Sequence, residues 1–185
     1  FGNFIMLTET VRQATGSHTD FLADPKARRA ALFGQRAEIL NDIYPSIADC
    51  HPSSRPDAQI STYICQRLNL ASCDSTQEIF RAPDENLCRT ALFSFLPEKL
   101  PFVANESIPE SPLRTWFSEG GVLICRPSDK KIPFAVSLKG GNHAEHHNHN
   151  DVGSFIVVAG SSMVLVDPGS EVYTARTFGS HRYDS

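Results

Sequence analysis

Ser154-Phe155-Ile156-Val157-Val158-Ala159-Gly160-Ser161-Ser162-Met163-Val164-Leu165-Val166 is a pair of short apolar runs, rich in β-branched residues, joined by Gly-Ser-Ser. This pattern predicts an antiparallel hairpin: runs of this length and composition favour strands, and the joint carries turn chemistry. Working outward, Gly121 to Cys125 and Pro133 to Leu138 are runs of the same kind. Pro127-Ser128-Asp129, Gly140-Gly141-Asn142 and Asp167-Pro168-Gly169 supply the turns between and after them. Residues 113–185 therefore read as an antiparallel sheet.

Upstream the period lengthens. Phe4, Leu7, Val11 and Ala14 recur at three- and four-residue steps, predicting a helix that Gly16 ends. Asp24-Pro25 reads as an N-cap followed by a first-turn proline, opening a second helix whose apolar positions are Ala30, Phe33, Ala37 and Leu40. A third helix is expected from about Asp57 to Leu68. Ser75-Thr76-Gln77-Glu78 fits a capping box for a fourth, and Pro83 precedes a further apolar stretch through Leu92 and Phe95. Four prolines between Pro97 and Pro112 mark a linker. The expected organisation is α+β and multidomain, with helices over 1–96, a linker over 97–112 and sheet over 113–185. Helices in a block followed by strands in a block do not make an alternating parallel fold.

The chain has 185 residues, 41% hydrophobic and 21% charged, and no apolar run long enough to cross a bilayer, so membrane insertion is not expected. Its 17 basic and 21 acidic side chains give a net charge of −4, spread evenly along the chain, which argues against nucleic acid as a partner. The chain opens on Phe1, so a processed protein or a piece of a longer one is expected, with any signal peptide out of view. The five cysteines, Cys50, Cys65, Cys73, Cys88 and Cys125, are too few and scattered for a disulfide scaffold and read mostly as buried thiols, with room for one bridge in an oxidising compartment. Trp116, beside Leu113 and Phe117, reads as core, and Tyr44 and Tyr63 read as packing residues.

Histidine is the unevenly placed residue, with four of seven between His143 and His149. If His147-Asn148-His149 is extended, its two imidazoles point to one face and Asp151 follows on the same side. Such a pair can share a metal or an anion, or stand in a solvated turn. Asp167, at the end of the next strand, returns toward the histidines if Gly160-Ser161-Ser162 makes a hairpin, and a set of imidazole plus carboxylate suits zinc better than calcium. Taken alone, Asp167-Pro168-Gly169 is a turn sequence.

The run His147-Asn148-His149-Asn150-Asp151-Val152-Gly153-Ser154-Phe155, the strand ending Val166-Asp167-Pro168-Gly169, then Tyr173-Thr174-Ala175 and Arg182-Tyr183-Asp184-Ser185, resemble the heparinase II/III-like polysaccharide lyases. The likeness is sharp from about Gly121 to Ser185. Over 1–96 it is architectural, with Tyr44-Pro45 to Asp49-Cys50 similar to the end of that family's helical toroid. It implies the end of an incomplete α/α toroid followed by the start of an antiparallel β-sandwich. It also implies a periplasmic or secreted enzyme that cleaves an anionic, uronate-containing polysaccharide of alginate or heparin type by β-elimination. By this resemblance His147 is the catalytic histidine facing the substrate carboxylate, and His149 and Asp167 are zinc ligands whose third protein partner lies beyond Ser185. The catalytic tyrosine belongs to the toroid and has no match in the chain. Asp151 would support the site by holding a neighbouring imidazole or backbone group, or else cap the turn, and Tyr173 and Arg176 either touch a sugar ring and an anionic group or pack at an exposed strand end. Oligomeric state stays open, a dimer being one outcome.

Two other readings stand beside this one. Gly141, five residues, then His147-Asn148-His149 matches the opening of the cupin metal motif of oxygenases and isomerases, but Gly153 and Ser154 occupy the place of its glutamate, and the helical first half has no role there. A non-catalytic carbohydrate-binding module would use the same histidines only to steady a turn.

Overall fold

A computed structural model describes residues 2–70, 112–128, 131, 133–144, 149–170 and 172–180. Within these, 2–36 and 56–70 form one compact unit, and 37–55 with 112–180 form another. The class is α+β: a few helices and one five-stranded antiparallel sheet. The expected capping box at Ser75, the break at Pro83, the apolar stretch through Leu92 and Phe95 and nearly all of the 97–112 linker lie outside the described residues.

In the helical unit, helix α1 spans Gly2–Ala14, α2 Pro25–Ala31, α3 Phe33–Ala37 and α4 Ala58–Leu68. The caps follow the sequence. Asp24 accepts from the Lys26 and Ala27 amides at 2.7 and 3.2 Å with Pro25 in the first turn, and Asp57 accepts from the Ile60 amide at 2.9 Å. α4 stops at Asn69, which adopts the left-handed conformation at φ 48°.

Two expectations fail here. The single helix from Pro25 to Leu40 is instead broken at Leu32, which leaves the helical conformation at ψ 3°; Ala31 and Leu32 enter the core, while Ala30 and Phe33 face solvent. On α1 the buried face is not Phe4, Leu7, Val11 and Ala14 but Ile5, Thr8, Glu9 and Arg12, and Leu7 is exposed. Charge explains the rotation. Glu9 accepts from Arg12 through both oxygens, at 2.9 and 2.6 Å, from Gln13 at 2.8 Å, and from the Tyr63 hydroxyl; Arg67 reaches Glu9 at 3.4 Å and donates to Tyr63 at 2.9 Å and to Asp20. Apolar periodicity cannot register a helix face that is buried through paired charges. Around this network pack Ile5, Leu22, Ile60, Ile64 and Leu68. Cys65 is disulfide-bonded and so not a free thiol, while Cys50 and Cys125 are free.

The sheet is a meander in the order β1 (Arg114–Phe117), β2 (Val122–Cys125), β3 (Phe134–Lys139), β4 (Phe155–Ala159) and β5 (Ser162–Leu165), with every neighbour antiparallel. The expected hairpin is β4–β5, with a bulge at Val157/Val158. β1 has no counterpart in the sequence reading, and Trp116, expected in the core, is 55% exposed. Register gives the reason. Thr115, Ile124, Ser137 and Ile156 face one another across four strands and are buried, so Trp116, one residue on, falls in the opposite row with Leu123, Leu138 and Phe155. The buried face is covered from within its own unit by Ile39, Leu40 and Ile43. Arg126 fastens that segment by donating to the Glu38 carbonyl and to Thr115 Oγ1 at 2.8 Å.

The charge network predicts an acid-sensitive helical unit. Burial disfavours the Glu9 carboxylate, but bonds from Arg12, Tyr63 and Gln13 outweigh that, so its carboxyl sits below the usual 4.5. A depressed folded-state value means the stabilisation is complete above 4.5 and is lost as pH falls through the lower folded value. Glu9→Ala, which removes the carboxylate that the buried Arg12 and Arg67 share, should cost about 3–5 kcal/mol in denaturant unfolding followed by helical circular dichroism. Its stability should also vary less with acid pH than that of the parent. A loss below about 1 kcal/mol would show the network to be dispensable.

Candidate functional site

The site lies in the sheet unit, where segment 46–50 meets the loop before β4 and the chain after β5. Ala48 adopts a left-handed conformation at φ 56°, costly for a residue with a Cβ, and its amide donates to Asp151 Oδ2 at 3.0 Å. Ser46 Oγ donates to the Asp167 carbonyl at 2.6 Å, the Ser170 amide to the Cys50 carbonyl at 3.2 Å, and Ser170 Oγ to the Asp49 carbonyl at 3.1 Å. At the centre of this seam Gly169, at φ 72°, runs so close that a Cβ built on it would overlap the Cys50 carbonyl and touch Pro52 at 3.2 Å.

Among the sequence-predicted residues, His149 and Tyr173 are brought together. His149 Nε2 lies 2.9 Å from Asp49 Oδ1, and the Tyr173 hydroxyl donates to that same oxygen. The side chains of His149 and Asp49 are 20% and 36% exposed, so the group is reachable from solvent. Phe178, in the turn Arg176–Phe178, meets the Tyr173 ring edge-on at 5.4 Å and 67°. Arg176 sits exposed in the same turn.

Asp151 and Asp167 are engaged elsewhere. Asp151 holds the Ala48 amide described above. Asp167 Oδ2 accepts from Ser154 Oγ and Oδ1 from the Gly169 amide at 2.8 Å, so this carboxylate organises its own Asp-Pro-Gly turn and ties it to the start of β4. His147 lies outside the described residues, as do His146, His181 and the Arg182 to Ser185 stretch. His143 is exposed in the loop.

Zinc in such a site takes about three or four protein ligands. Among the described residues no group of three or more His, Cys, Asp or Glu gathers around a common point. The described residues hold an imidazole against a carboxylate, His149 with Asp49, and a separate carboxylate, Asp167, engaged by Ser154 Oγ and the Gly169 amide; by themselves they do not make up a zinc site.

Asp49 is the residue that sequence reasoning missed. It stands a hundred positions from His149, in a polar stretch between helices. Its only signal is the likeness of Tyr44-Pro45 to Asp49-Cys50 to a toroid end. Its neighbour Cys50 is no ready nucleophile, because burial and the Asp49 charge both push the thiol up. Burial and nearby Glu38 and Asp42 push Tyr44 up to about 12, while Arg55 lies 5.8 Å over its ring, a packing role. Neither a scan against protein-family models nor a search of curated proteins gives a match for this chain.

The tight seam predicts a contrast between two glycines. Gly160, at φ 62°, has open space where a Cβ would go, so Gly160→Ala should cost about 1–2 kcal/mol from backbone strain alone. Gly169→Ala adds an overlap with Cys50 and should cost clearly more in thermal unfolding. Equal losses would mean that the seam yields freely.

Proposed function

We propose that this protein is a polysaccharide lyase that cleaves a uronate-containing polymer of alginate or heparin type by β-elimination. In this reading the helices are the end of an incomplete α/α toroid. The sheet is the start of a sandwich, the architecture that buries both faces of a sheet such as this one, apolar on each side. The observation that carries the proposal is the pairing of an imidazole and a phenol, His149 and Tyr173, on the Asp49 carboxylate, two residues along the chain from His147.

The chemistry uses groups of this kind. A base takes the C5 proton, the C5–H electrons form the C4=C5 double bond, and the C4–O bond breaks with its oxygen taking a proton. The C5 proton is weakly acidic while the adjacent carboxylate is fully charged, so a donor or cation must stabilise the charge that develops on the carboxylate oxygens. His147 is assigned that role, with imidazole suited to donate or hold a proton near neutral pH. Tyr173 and Arg176 are assigned to the sugar and its anionic groups, supplying local complementarity that a net charge of −4 does not provide overall. Zinc, when bound by His149, Asp167 and donors outside the described residues, would fix the loop that bears His147. The disulfide at Cys65 accords with a periplasmic or secreted location.

The test is incubation of the full-length protein with alginate and heparan sulfate while following ultraviolet absorbance from unsaturated uronate. Absorbance should rise on at least one polymer, and His147→Ala should lower turnover by about 10²–10³-fold with the fold intact. A flat trace on every uronate polymer would sink the lyase assignment, and iron-dependent oxygen uptake instead would favour a cupin. Separately, His149→Ala and Asp167→Ala should each lower bound zinc and the unfolding temperature together, since metal binding contributes to folding free energy.

A further inference from the structure

Between the two halves of the chain the charge is even, but within the first half it is not. From Pro25 to Ala37 stand four basic residues, Lys26, Arg28, Arg29 and Arg36, and no acidic one, in a protein whose net charge is −4. Elsewhere in the helical unit the charges are spent on the fold. Arg12 and Arg67 pair with Glu9 and Asp20, and Asp57 caps α4. Asp24, the cap of α2, acts on Lys26 and Arg29 and offsets one of the four, so the strip stays positive. The side chains of Lys26, Arg28 and Arg29 make no ion pair or hydrogen bond with the described residues.

The strip also has a defined face. The Leu32 and Arg36 amides reach the Arg28 and Leu32 carbonyls at 3.0 and 2.9 Å, so the backbone keeps coiling past the break between α2 and α3. Lys26, Arg29 and Phe33 then follow at steps of three and four, away from Ala31 and Leu32 in the core, and all three are exposed, Phe33 at 48%. Arg28 lies behind this row, half-buried, with its Nε shut off from water and given no acceptor. Gln35 Oε1, two turns on, is likewise buried without a donor. Buried polar atoms are normally satisfied within a fold, and these two are not. A guanidinium is always charged, and its planar edge matches a carboxylate or sulfate through two parallel bonds. An anionic group at Arg28 and a hydroxyl at Gln35 would supply the partners that the helical unit lacks.

We propose that Lys26, Arg28 and Arg29, with Phe33 beside them, form a surface on the helical unit that binds an extended anionic polysaccharide. The cations meet its carboxylates or sulfates. Phe33 meets the C–H face of a pyranose ring, which such a polymer presents between its charged groups. This surface captures polymer and takes no part in bond breaking. The choice of polymer rests on the lyase reading, whereas the existence of the binding surface does not. Nucleic acid fits less well, because the acidic balance of the chain as a whole opposes a partner of such high charge density.

The experiment measures binding of size-defined alginate and heparin chains to the full-length protein over a range of salt, in a His147→Ala background so that the chains stay whole. Lys26→Gln combined with Arg29→Gln should lower affinity roughly tenfold at low salt and flatten its decline with salt, since each exposed cation adds a modest, screened attraction. Arg28→Lys, which keeps the charge but loses the two-bond edge, should also weaken binding. Phe33→Ala should weaken it without changing the salt dependence. Lys131→Gln, which removes a charge from the sheet unit, should leave affinity as it was. Lys26 and Arg29 are exposed, so the double variant should keep the helical circular dichroism of the parent. Undiminished affinity in the double variant, or no binding of either polymer by the parent, would overturn the proposal. Single-stranded DNA or anionic lipid vesicles bound as tightly, and lost in the same variants, would overturn the choice of polysaccharide. Polymer bound through these residues but never converted to unsaturated uronate by the wild type would bring down the lyase reading and leave the surface standing, so the two failures are distinguishable.

Discussion

The seam between segment 46–50 and the chain around Gly169 is the constraint on which the candidate site depends. Asp49, His149 and Tyr173 come from three separate stretches of sequence, and no single strand or helix carries two of them. They meet because the backbone at 46–50 is stitched to the residues that flank β4 and β5 by Ser46, Asp151 and Ser170. The Asp167 turn supplies the surface against which it lies. At the narrowest point only a glycine fits. The left-handed Ala48 is the cost of the path, and the Asp151 carboxylate on its amide offsets part of it.

Carboxylates do different work in the two units. In the helical unit Glu9 is fully buried among guanidinium groups and a phenol, and its worth lies in not leaving those partners uncompensated. In the sheet unit the carboxylates are partly exposed, so the Asp49–His149 pair contributes little to stability as an ion pair. Its consequence is placement: an imidazole and a phenol meet on one carboxylate oxygen. That separates residues whose loss unfolds the protein from residues whose loss changes what the site can bind.

Local signals account for what was legible in the sequence. Asp24-Pro25 marks a helix start through bonds to amides two and three residues away, the stretch from Asp57 to Leu68 matches α4, and the starts and ends of β2 to β5 fall within a residue or so of the apolar runs. What the sequence hid is non-local. The buried face of α1 is set by Tyr63 and Arg67 on another helix, and the outward turn of Trp116 follows from its register with Leu123. In the site, His149, Asp151, Asp167 and Tyr173 were visible because they cluster near a motif. Asp49 was not, since a lone aspartate in a loop looks like any other until folding brings it to an imidazole a hundred residues away.

The central claim is that the site performs elimination on a uronate linkage, and the mass of the products tests it most directly. Mass spectrometry of oligosaccharides released by the full-length protein should find each new non-reducing end one water lighter than the corresponding hydrolysis product. Released fragments carrying the full mass of hydrolysis, or polymer left intact, would contradict the account.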